Sequence, residues 1–337
     1  MKINNIDTSN KIFIVAEIGN NHEGQIKSAF KMIDKAKDAG ADAVKFQTFI
    51  PELFSSNIDK DRFSRLQSFQ FSHSQFEELS EYAKEKGIIF FATPLDLKSA
   101  TFLKKISPIF KIASGDNNFI PLINKILDFK GPLIISTGLL DINDLKRLHN
   151  HINKYSKIKY DRNNLAFLHC VSSYPVPPNQ ANLKVINTLE NNFKNVTIGY
   201  SDHTIGPDAC IMAASLGARI IEKHFTLDNN FSDFRDHKLS SNPLEFKYMV
   251  EKIRANEKLF GDGDKKIQQC EKDLLIVARR SLSSNKDLQK GDILNESHLI
   301  WIRPGDGIKI GDEARFLGKK LNTNIKKGEI LKPENFD

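Results

Sequence analysis

Short apolar segments rich in β-branched residues alternate with amphipathic segments from residue 11 to about residue 260. Each apolar segment is a continuous hydrophobic run rather than an alternation of apolar and polar residues. Such runs are typical of parallel strands that are buried on both faces. They predict strands at Ile12–Ile18, Ala43–Thr48, Ile88–Ala92, Ile109–Ala113, Leu133–Ser136, Leu165–Val171, Val196–Tyr200 and Arg219–Phe225.

The segments between the predicted strands have helical periodicity. Ile26–Ala39 places Phe30 and Ile33 on one face and stops at Gly40, a residue suited to the position just past a helix. Ser74–Lys86, capped by Ser72 or Ser74, has the same form. About eight strand–helix units in ~250 residues predict an α/β fold, a (β/α)₈ TIM barrel. The alternative is a doubly wound open sheet, but the first strand is not followed by G-x-G-x-x-G and the strand count suits closure.

The composition of the chain changes after Phe260. A Gly- and Asp-rich loop leads into a linker, and the final segment contains an internal repeat in which Lys286–Asn295 is echoed by Thr323–Lys332. Two similar β-turn-β units predict a compact, pseudo-symmetric β module. We therefore predict a barrel domain over residues 1–266, a linker over 267–280 and a small β-rich domain over 281–337.

Charge, hydropathy and cysteine usage narrow the class of function. The 49 basic and 42 acidic residues are interspersed, and no basic stripe with interleaved aromatics predicts nucleic-acid binding. The net charge of +7 favours anionic small substrates. Apolar runs such as Ile88–Ala92 are too short to span a bilayer, and Met1–Asn10 lacks the apolar stretch of a signal peptide. We therefore expect no membrane association. Cys170, Cys210 and Cys270 form no C-x-x-C motif, so we also expect a reducing, cytoplasmic location.

Polar or ionisable side chains stand where nearly every predicted strand stops, which is where barrels of this kind carry their chemistry. His203 and His224 follow the last two strands. Because neighbouring strands lie about 4.8 Å apart, the two imidazoles can converge on one divalent ion and leave open positions for Lewis-acid catalysis. The alternative is a pair of hydrogen-bonded core histidines.

Two lysines, Lys45 and Lys111, are embedded in apolar strand ends. Ser114, Ser136 and Gln47 are nearby neutral donors, and this combination predicts a site for phosphate and carboxylate groups. A Schiff-base lysine is the alternative.

Glu17 is the one carboxylate of the first predicted strand, between Ala16 and Ile18. An apolar setting raises the pKa of a carboxyl group toward the range that suits general acid–base catalysis. The alternative is a structural ion pair with a neighbouring lysine.

These segments together resemble the sialic acid (N-acetylneuraminate) synthase family, over essentially the whole chain. The resemblance extends to Arg303–Asp306, which lies in what resembles the antifreeze-like (SAF, β-clip) domain of that family. The motifs in the barrel are Ala16–Gly24, Val44–Gln47, Ala92–Pro94, Lys111–Gly115, Ser136–Gly138, Tyr200–Thr204 and Glu222–Phe225. The resemblance implies a transferase that condenses phosphoenolpyruvate with the open-chain aldehyde of N-acetylmannosamine or a similar N-acyl hexosamine, giving a nonulosonic acid and phosphate.

The resemblance also implies roles for the candidate residues. His203 and His224 would hold Mn²⁺, with Mg²⁺ or Co²⁺ as alternatives, and the ion would polarise the aldehyde oxygen. Arg303 would reach the sugar of a partner subunit in a domain-swapped homodimer. The implied catalytic residues are Glu17, Lys45 and Lys111; the phosphoenolpyruvate ligands are Lys45, Gln47, Thr93, Lys111, Ser114 and Ser136; the sugar ligands are Tyr174, Ser172, Asp236 and Arg303.

One segment departs from the family pattern. After the eighth strand the family commonly has Pro-Gly-Pro-Asp-His, whereas this chain has Asn229–His237, which ends in Asp236-His237. Asp236 would help to organise metal-bound water. Arg235 either meets a substituent that N-acetylmannosamine lacks or pairs with Asp233 on the surface. The departure leaves the identity of the sugar open.

Other functions remain as alternatives. A related synthase would make a legionaminic- or pseudaminic-type acid, or an eight-carbon keto-deoxy sugar acid from a phosphorylated aldose. The C-terminal module and the lack of an obvious second phosphate site disfavour the eight-carbon product. A Schiff-base aldolase would use Lys45 or Lys111. A non-catalytic carbohydrate-binding scaffold is disfavoured by the complete set of strand-end groups.

Overall fold

The computed structural model describes all residues, Met1–Asp337. The chain forms two compact units, residues 1–261 and residues 262–337. The division into 1–266, 267–280 and 281–337 stays a prediction. No helix has the length and apolar character needed to cross a lipid bilayer.

The first unit is a parallel β-barrel surrounded by helices. An antiparallel hairpin of β1 (Lys2–Ile3) and β2 (Ile6–Asp7) precedes it. Nearly every residue of the barrel strands is buried, which explains their continuous hydrophobic runs. The barrel strands are β3 (Phe13–Gly19), β4 (Ala43–Thr48), β5 (Ile89–Pro94), β6 (Phe110–Ile112), β7 (Leu133–Ser136), β8 (Leu165–Cys170), β9 (Thr197–Asp202) and β10 (Ile220–His224).

The eight strands are hydrogen-bonded in the order β5-β4-β3-β10-β9-β8-β7-β6, and every ladder is parallel. Strands β5 and β6, at the two ends of this order, contact each other and close the sheet. The (β/α)₈ barrel is therefore confirmed, and the open doubly wound sheet is wrong. Closure brings the C-terminal ends of all eight strands to one end of the barrel.

The predicted helix boundaries follow from local chemistry. The first helix ends before Gly40, whose φ of +87° is a conformation that favours glycine. Ser72 rather than Ser74 caps the fourth helix: its hydroxyl accepts from the backbone of Gln75, and the Gln75 side chain accepts from the backbone of Ser72. The helices of this unit are α1 (Ile26–Asp38), α2 (Pro51–Phe54), α3 (Lys60–Phe69), α4 (His73–Glu85), α5 (Leu97–Leu103), α6 (Ile120–Leu127), α7 (Ile142–Tyr155), α8 (Val185–Asn192), α9 (Asp208–Ser215), α10 (Arg235–Leu239) and α11 (Pro243–Phe260).

The second unit contains α12 (Leu274–Val277) and a small antiparallel sheet of β11 (Ser281–Ser284) and β12 (Leu299–Ile302). Its two sequence repeats meet at Leu288 and Ile325, which hold equivalent positions in the repeats. Their backbones exchange two hydrogen bonds, of 2.8 and 2.9 Å. A small β-rich C-terminal domain is therefore confirmed; its two strands lie outside the repeats, and its pseudo-symmetry stays a prediction. Its core consists of Leu282, Leu288, Leu294, Leu299, Ile308, Leu321, Ile325, Leu331 and Phe336.

Candidate active site

Four charged side chains form a buried cluster at the C-terminal end of the barrel. Lys45 Nζ lies 3.0 Å from Glu17 Oε2 and 3.4 Å from Glu222 Oε2. Lys111 Nζ lies 3.5 Å from Glu222 Oε1. Carboxylates and ammonium groups thus alternate, so that no charge in this buried setting lacks an opposite neighbour. We call these four residues the charge cluster.

The register of the strands produces this arrangement. Glu17 on β3 and Lys45 on β4 are partners in the parallel ladder, so their side chains point to the same side of the sheet. Gln47 follows Lys45 by two residues and pairs with Thr93 on β5, which keeps both on that side. These side chains therefore face the barrel interior at two successive levels, Glu17 with Lys45 and Gln47 with Thr93.

The predicted residues of the barrel meet around one cavity of about 200 Å³, the inner cavity. Its lining includes all of the predicted barrel residues except Asp236. The predicted lining residues are Glu17, Lys45, Gln47, Thr93, Lys111, Ser114, Ser136, Ser172, Tyr174, His203 and His224. Cys170, Ser201 and Glu222 also line the inner cavity, although the sequence analysis gave them no role in binding a substrate or metal.

Neutral donors surround the two lysines. Lys45 Nζ donates to Thr93 Oγ1 at 3.2 Å, and Lys111 Nζ donates to Ser136 Oγ at 2.8 Å. The Ser172 hydroxyl is buried and has no hydrogen-bond partner. An unpartnered buried hydroxyl is costly, so Ser172 is available to a polar ligand in the cavity.

The two carboxyl groups of the charge cluster differ in protonation. Burial raises the pKa of Glu17 to about 7, against the opposing effect of Lys45. Burial also acts to raise the pKa of Glu222, but Lys111 and Lys45 outweigh it and bring that pKa to about 2. At neutral pH, Glu222 is therefore a fixed anion, whereas Glu17 is able to exchange a proton.

His203 and His224 face each other with ring centroids 5.2 Å apart. His203 Nδ1 lies 2.8 Å from the carbonyl oxygen of Val171. Donation of Nδ1–H to that carbonyl leaves the lone pair of Nε2 free. His224 Nδ1 is buried without a partner, and burial and neighbouring cations hold the pKa of His224 well below its ordinary value.

The histidine pair fits a divalent cation. A neutral imidazole with an unpartnered nitrogen is a ligand for such ions. No group of three or more His, Cys, Asp or Glu side chains is arranged around a common ion position. The protein would therefore supply two imidazoles, and the other positions would be open to water or substrate oxygen.

A second cavity of about 420 Å³, the outer cavity, adjoins the inner one and shares Gln47, Tyr174 and His224 with it. Asp236 lies here. The other lining residues are Asn20, Phe54, Arg62, Arg65, Leu66, Phe69, Asp233, Phe234 and Arg235.

Arg235 pairs with a different aspartate from the one suggested by the sequence. Its Nε lies 3.3 Å from Asp236 Oδ1, and its guanidinium lies 4.8 Å from the centre of the Tyr174 ring. The proposed surface pair of Arg235 with Asp233 is therefore wrong. Stacking on Tyr174 orients the arginine toward the cavity instead.

His237 anchors the loop that precedes it rather than lining either cavity. It is fully buried, with Nδ1 2.7 Å from Thr226 Oγ1 and Nε2 3.1 Å from Glu23 Oε1. Ser232 also hydrogen-bonds to Glu23. The loop segment that departs from the family pattern is thus held at both Ser232 and His237 by one carboxylate.

Several cavity residues were missed by the sequence reasoning. Glu222, Ser201 and Asn20 lie in strand-end segments, and these positions alone could have identified them as candidate site residues. Arg62 and Arg65 lie on α3, for which no helix was predicted. Arg303 is exposed in the second unit, and its role at a partner's barrel stays a prediction.

The fold and the cavities define a class: a (β/α)₈ enzyme whose barrel mouth combines a buried lysine pair with two neighbouring histidines. The NeuB family model matches residues 32–265, and the SAF domain model matches residues 279–337. The chain belongs to the NeuB family.

Similar proteins agree with this assignment. The N,N'-diacetyllegionaminic acid synthase of Campylobacter jejuni is 37% identical, over 96% of this chain and 99% of that protein. The pseudaminic acid synthase of the same species is 38% identical over 100% of both chains. The crystal structure of an N-acetylneuraminic acid synthetase from Leptospira borgpetersenii, in complex with citrate, is 34% identical. It covers 81% of this chain and 94% of that chain, with a TM-score of 0.75. The resemblance to sialic acid synthases is confirmed.

Proposed function

We propose that the protein condenses phosphoenolpyruvate with an N-acetylmannosamine-type aldose to give a nonulosonic acid and phosphate. The observation that carries this proposal is the shared cavity of the charge cluster, Glu17, Lys45, Glu222 and Lys111, with His203 and His224. The names of the similar synthases support the class of product. The sugar is an N-acyl hexosamine, either N-acetylmannosamine or a diacetamido relative.

Phosphoenolpyruvate binds in the inner cavity through its phosphate and carboxylate. Lys45 and Lys111 supply the positive charge, and the neighbouring Glu222 carboxylate favours the protonated form of each. Neutral donors that line the same cavity complete the site. The neutral donors are Gln47, Thr93, Ser114 and Ser136.

His203 and His224 hold a divalent cation, which we propose to be Mn²⁺, with Mg²⁺ or Co²⁺ as alternatives. When bound, such an ion polarises the aldehyde oxygen as a Lewis acid. The unpartnered His224 Nδ1 and the free Nε2 lone pair of His203 support this role.

Glu17 acts as the proton acceptor. The methylene carbon of phosphoenolpyruvate forms the new bond to the aldehyde carbon, and water adds to the carbon that bears the phosphate. The Glu17 carboxylate takes a proton from that water, and the former aldehyde oxygen takes up a proton as it becomes a hydroxyl group. The C–O bond to phosphate then breaks, phosphate leaves with the bonding electron pair, and the new hydroxyl loses its proton to give the keto group. The pKa of about 7 supports this role, because at neutral pH a fraction of Glu17 is ionised and able to accept a proton.

The sugar lies across the two cavities. Tyr174 and Ser172 contact it from the inner side, and Asp236 contacts it from the outer cavity. Arg303 of a partner subunit completes the site in a domain-swapped homodimer. The exposed apolar residues Leu274 and Ile276 of α12 support association through the second unit. The three free thiols support a cytoplasmic location.

The test measures the consumption of phosphoenolpyruvate and the release of phosphate with each member of a panel of N-acyl hexosamines. The metal-stripped protein is assayed with EDTA, with Mn²⁺ and with Mg²⁺. We expect turnover with at least one aldose, and we expect Mn²⁺ to restore the activity of the metal-stripped protein. Failure with every aldose in the presence of metal would overturn the proposal.

A Schiff-base aldolase is the second candidate, because burial lowers the pKa of Lys111. Borohydride trapping of a pyruvate adduct on Lys111, together with EDTA-resistant activity, would favour it. Phosphate release that depends on metal, with no trapped adduct, would exclude it.

A further inference from the structure

We infer that Asn20 is a positioning residue for the proton acceptor Glu17 and that it acts through the side-chain amide of Gln47. The inference rests on the proposed function, because it concerns the residue that takes a proton from water in that reaction. It gives a role to Asn20, which lines the outer cavity and has none in the proposed function. It also gives Gln47 a second role besides its contact with phosphoenolpyruvate.

The three side chains form a chain of hydrogen bonds. Asn20 Nδ2 donates to Gln47 Oε1 at 2.9 Å, and Gln47 Nε2 donates to Glu17 Oε1 at 3.4 Å. Asn20 lines the outer cavity, Gln47 lines both cavities and Glu17 lines the inner one. The chain therefore runs from the wall of the outer cavity to the carboxylate in the inner cavity.

A β-bulge in β3 brings Asn20 to Gln47. The ladder between β3 and β4 shifts in register after Glu17, so that Gly19 pairs with Phe46. The next residues along the two strands, Asn20 and Gln47, are then level with each other. Bulges commonly redirect a side chain beside an active site, and here the bulge places an amide next to the partner of the proton acceptor.

Glycine at position 19 leaves room for this contact. Gly19 has a φ of +52°, a conformation that favours glycine. A Cβ atom at this position would lie 3.2 Å from Glu17 Oε1 and 3.5 Å from Gln47 Nε2, which are the two atoms of the second hydrogen bond. A side chain at position 19 would therefore crowd the contact between Gln47 and Glu17.

The hydrogen-bonding capacity of each group sets the direction of the chain. An ionised carboxylate only accepts hydrogen bonds, so Gln47 turns its Nε2 toward Glu17 and its Oε1 away from it. Asn20 supplies the N–H group that this oxygen accepts. Lys45 Nζ lies 3.0 Å from the other carboxylate oxygen, Glu17 Oε2. Each oxygen of Glu17 thus has a neighbouring donor, and the second N–H of Gln47 remains for phosphoenolpyruvate.

The position of the Gln47 amide depends on Asn20. The Asn20 side chain is 9% exposed, and its Oδ1 has no hydrogen-bond partner, so the bond to Gln47 is the one that this side chain makes. Without Asn20, no neighbour on that side distinguishes Oε1 of Gln47 from Nε2, and the amide is free to turn. Glu17 then loses a donor that orients it, and a misplaced catalytic group is less efficient.

The experiment measures kcat and KM of Asn20→Ala with the metal-loaded enzyme and the aldose that the wild type uses. We expect kcat to fall about tenfold, while KM for phosphoenolpyruvate stays within about twofold. Asn20→Asp keeps the size of the side chain but presents an oxygen to Gln47 Oε1, so it should lower kcat further, by about 10². Asn118→Ala, at an exposed asparagine outside both cavities, is the control and should leave kcat unchanged.

A double-mutant cycle separates the positioning of Glu17 from a general effect on the fold. In the Glu17→Gln background there is no proton acceptor to position, so adding Asn20→Ala should change kcat by less than about twofold. The same tenfold loss in both backgrounds would overturn the inference. An unchanged kcat with a raised KM for the aldose would make Asn20 a ligand of the sugar and would also overturn it.

Crystal structures of the wild type and of Asn20→Ala give a readout that does not depend on turnover. We expect the distance from Gln47 Nε2 to Glu17 Oε1 to grow beyond hydrogen-bonding range in the variant. An unchanged distance would overturn the inference even if kcat falls. Absence of turnover by the wild-type enzyme with any aldose would overturn the proposed function instead, and the two structures would still test the chain of hydrogen bonds.

Discussion

Lys223 Nζ lies 2.7 Å from Asp202 Oδ2, and both side chains are fully buried. The two residues are partners in the ladder between β9 and β10, and each directly precedes one of the histidines of the inner cavity, His203 or His224. Tyr200 also donates its hydroxyl to Asp202 at 2.8 Å. The buried pair therefore ties the two strand ends together at the point where both imidazoles enter the cavity.

Removal of one partner should destabilise the barrel and loosen the histidine pair. Asp202→Asn leaves Lys223 without its carboxylate, and breaking a buried ion pair in this way costs about 3–5 kcal/mol. Urea unfolding should show this loss of unfolding free energy. The affinity for Mn²⁺ should also fall, measured by electron paramagnetic resonance at a temperature where the variant is folded. Glu190→Gln breaks the exposed pair with Arg162 and serves as the control, with an expected change of about 0–1 kcal/mol. If the two variants have equal stability and equal Mn²⁺ affinity, the buried pair has no positioning role.

The activity should depend on pH through Glu17. Its pKa is raised to about 7 by burial, so the carboxylate that accepts a proton is lost as the pH falls through that value. We expect kcat/KM to fall about tenfold per pH unit well below this pKa. Glu17→Gln should lower kcat by about 10²–10⁴ and remove this acidic limb. Glu52→Gln, at an exposed carboxylate on α2, is the control and should keep the wild-type pH profile. If Glu17→Gln keeps the acidic limb unchanged, the limb belongs to another group.

The sequence predicted the barrel well because each buried strand is a hydrophobic run with a polar residue at its end. Strands β4 and β7 were predicted with the bounds that the structure has, and the other barrel strands differ by one or two residues at one or both ends. Closure of the sheet then brings strand-end residues such as Glu17 and Lys111 into one cavity. These residues meet because the strands form a closed barrel, and the hydrophobic pattern of the sequence predicts that barrel.

The outer cavity was not predictable in the same way. Helix α3 is mostly polar, and it is held by packing of Phe69 on Phe234, a contact between residues far apart in sequence. The pairing of Arg235 with Asp236 rather than Asp233 depends on its stacking on Tyr174. Such contacts depend on tertiary packing and leave no periodic pattern in the sequence.

Mn²⁺ should bind at one site formed by the two histidines. His203→Ala and His224→Ala should each weaken Mn²⁺ binding, measured by electron paramagnetic resonance or calorimetry, by at least about tenfold, since even supporting residues of metal sites contribute this much. His73→Ala is the matched control because His73 is exposed and stacks on Phe102, outside both cavities. Retention of full Mn²⁺ affinity by either cavity variant would exclude the pair as the metal site.

The anchoring of the loop at residues 229–237 should control binding of the aldose without changing that of phosphoenolpyruvate. Glu23→Ala removes the oxygen that lies 3.1 Å from His237 Nε2 and the partner of Ser232, so Asp236 is no longer held in the outer cavity. We expect KM for the aldose to rise by about tenfold, the scale of a lost hydrogen bond to a charged group, while KM for phosphoenolpyruvate stays within about twofold. Glu23→Gln keeps an acceptor oxygen at the same position and should restore most of the affinity. Equal KM values for the aldose in Glu23→Ala and the wild type would show that the loop keeps its position without this anchor. The hydrogen bonds that the Asn229 side-chain amide donates to the carbonyl oxygens of His237 and Ser240 would then suffice.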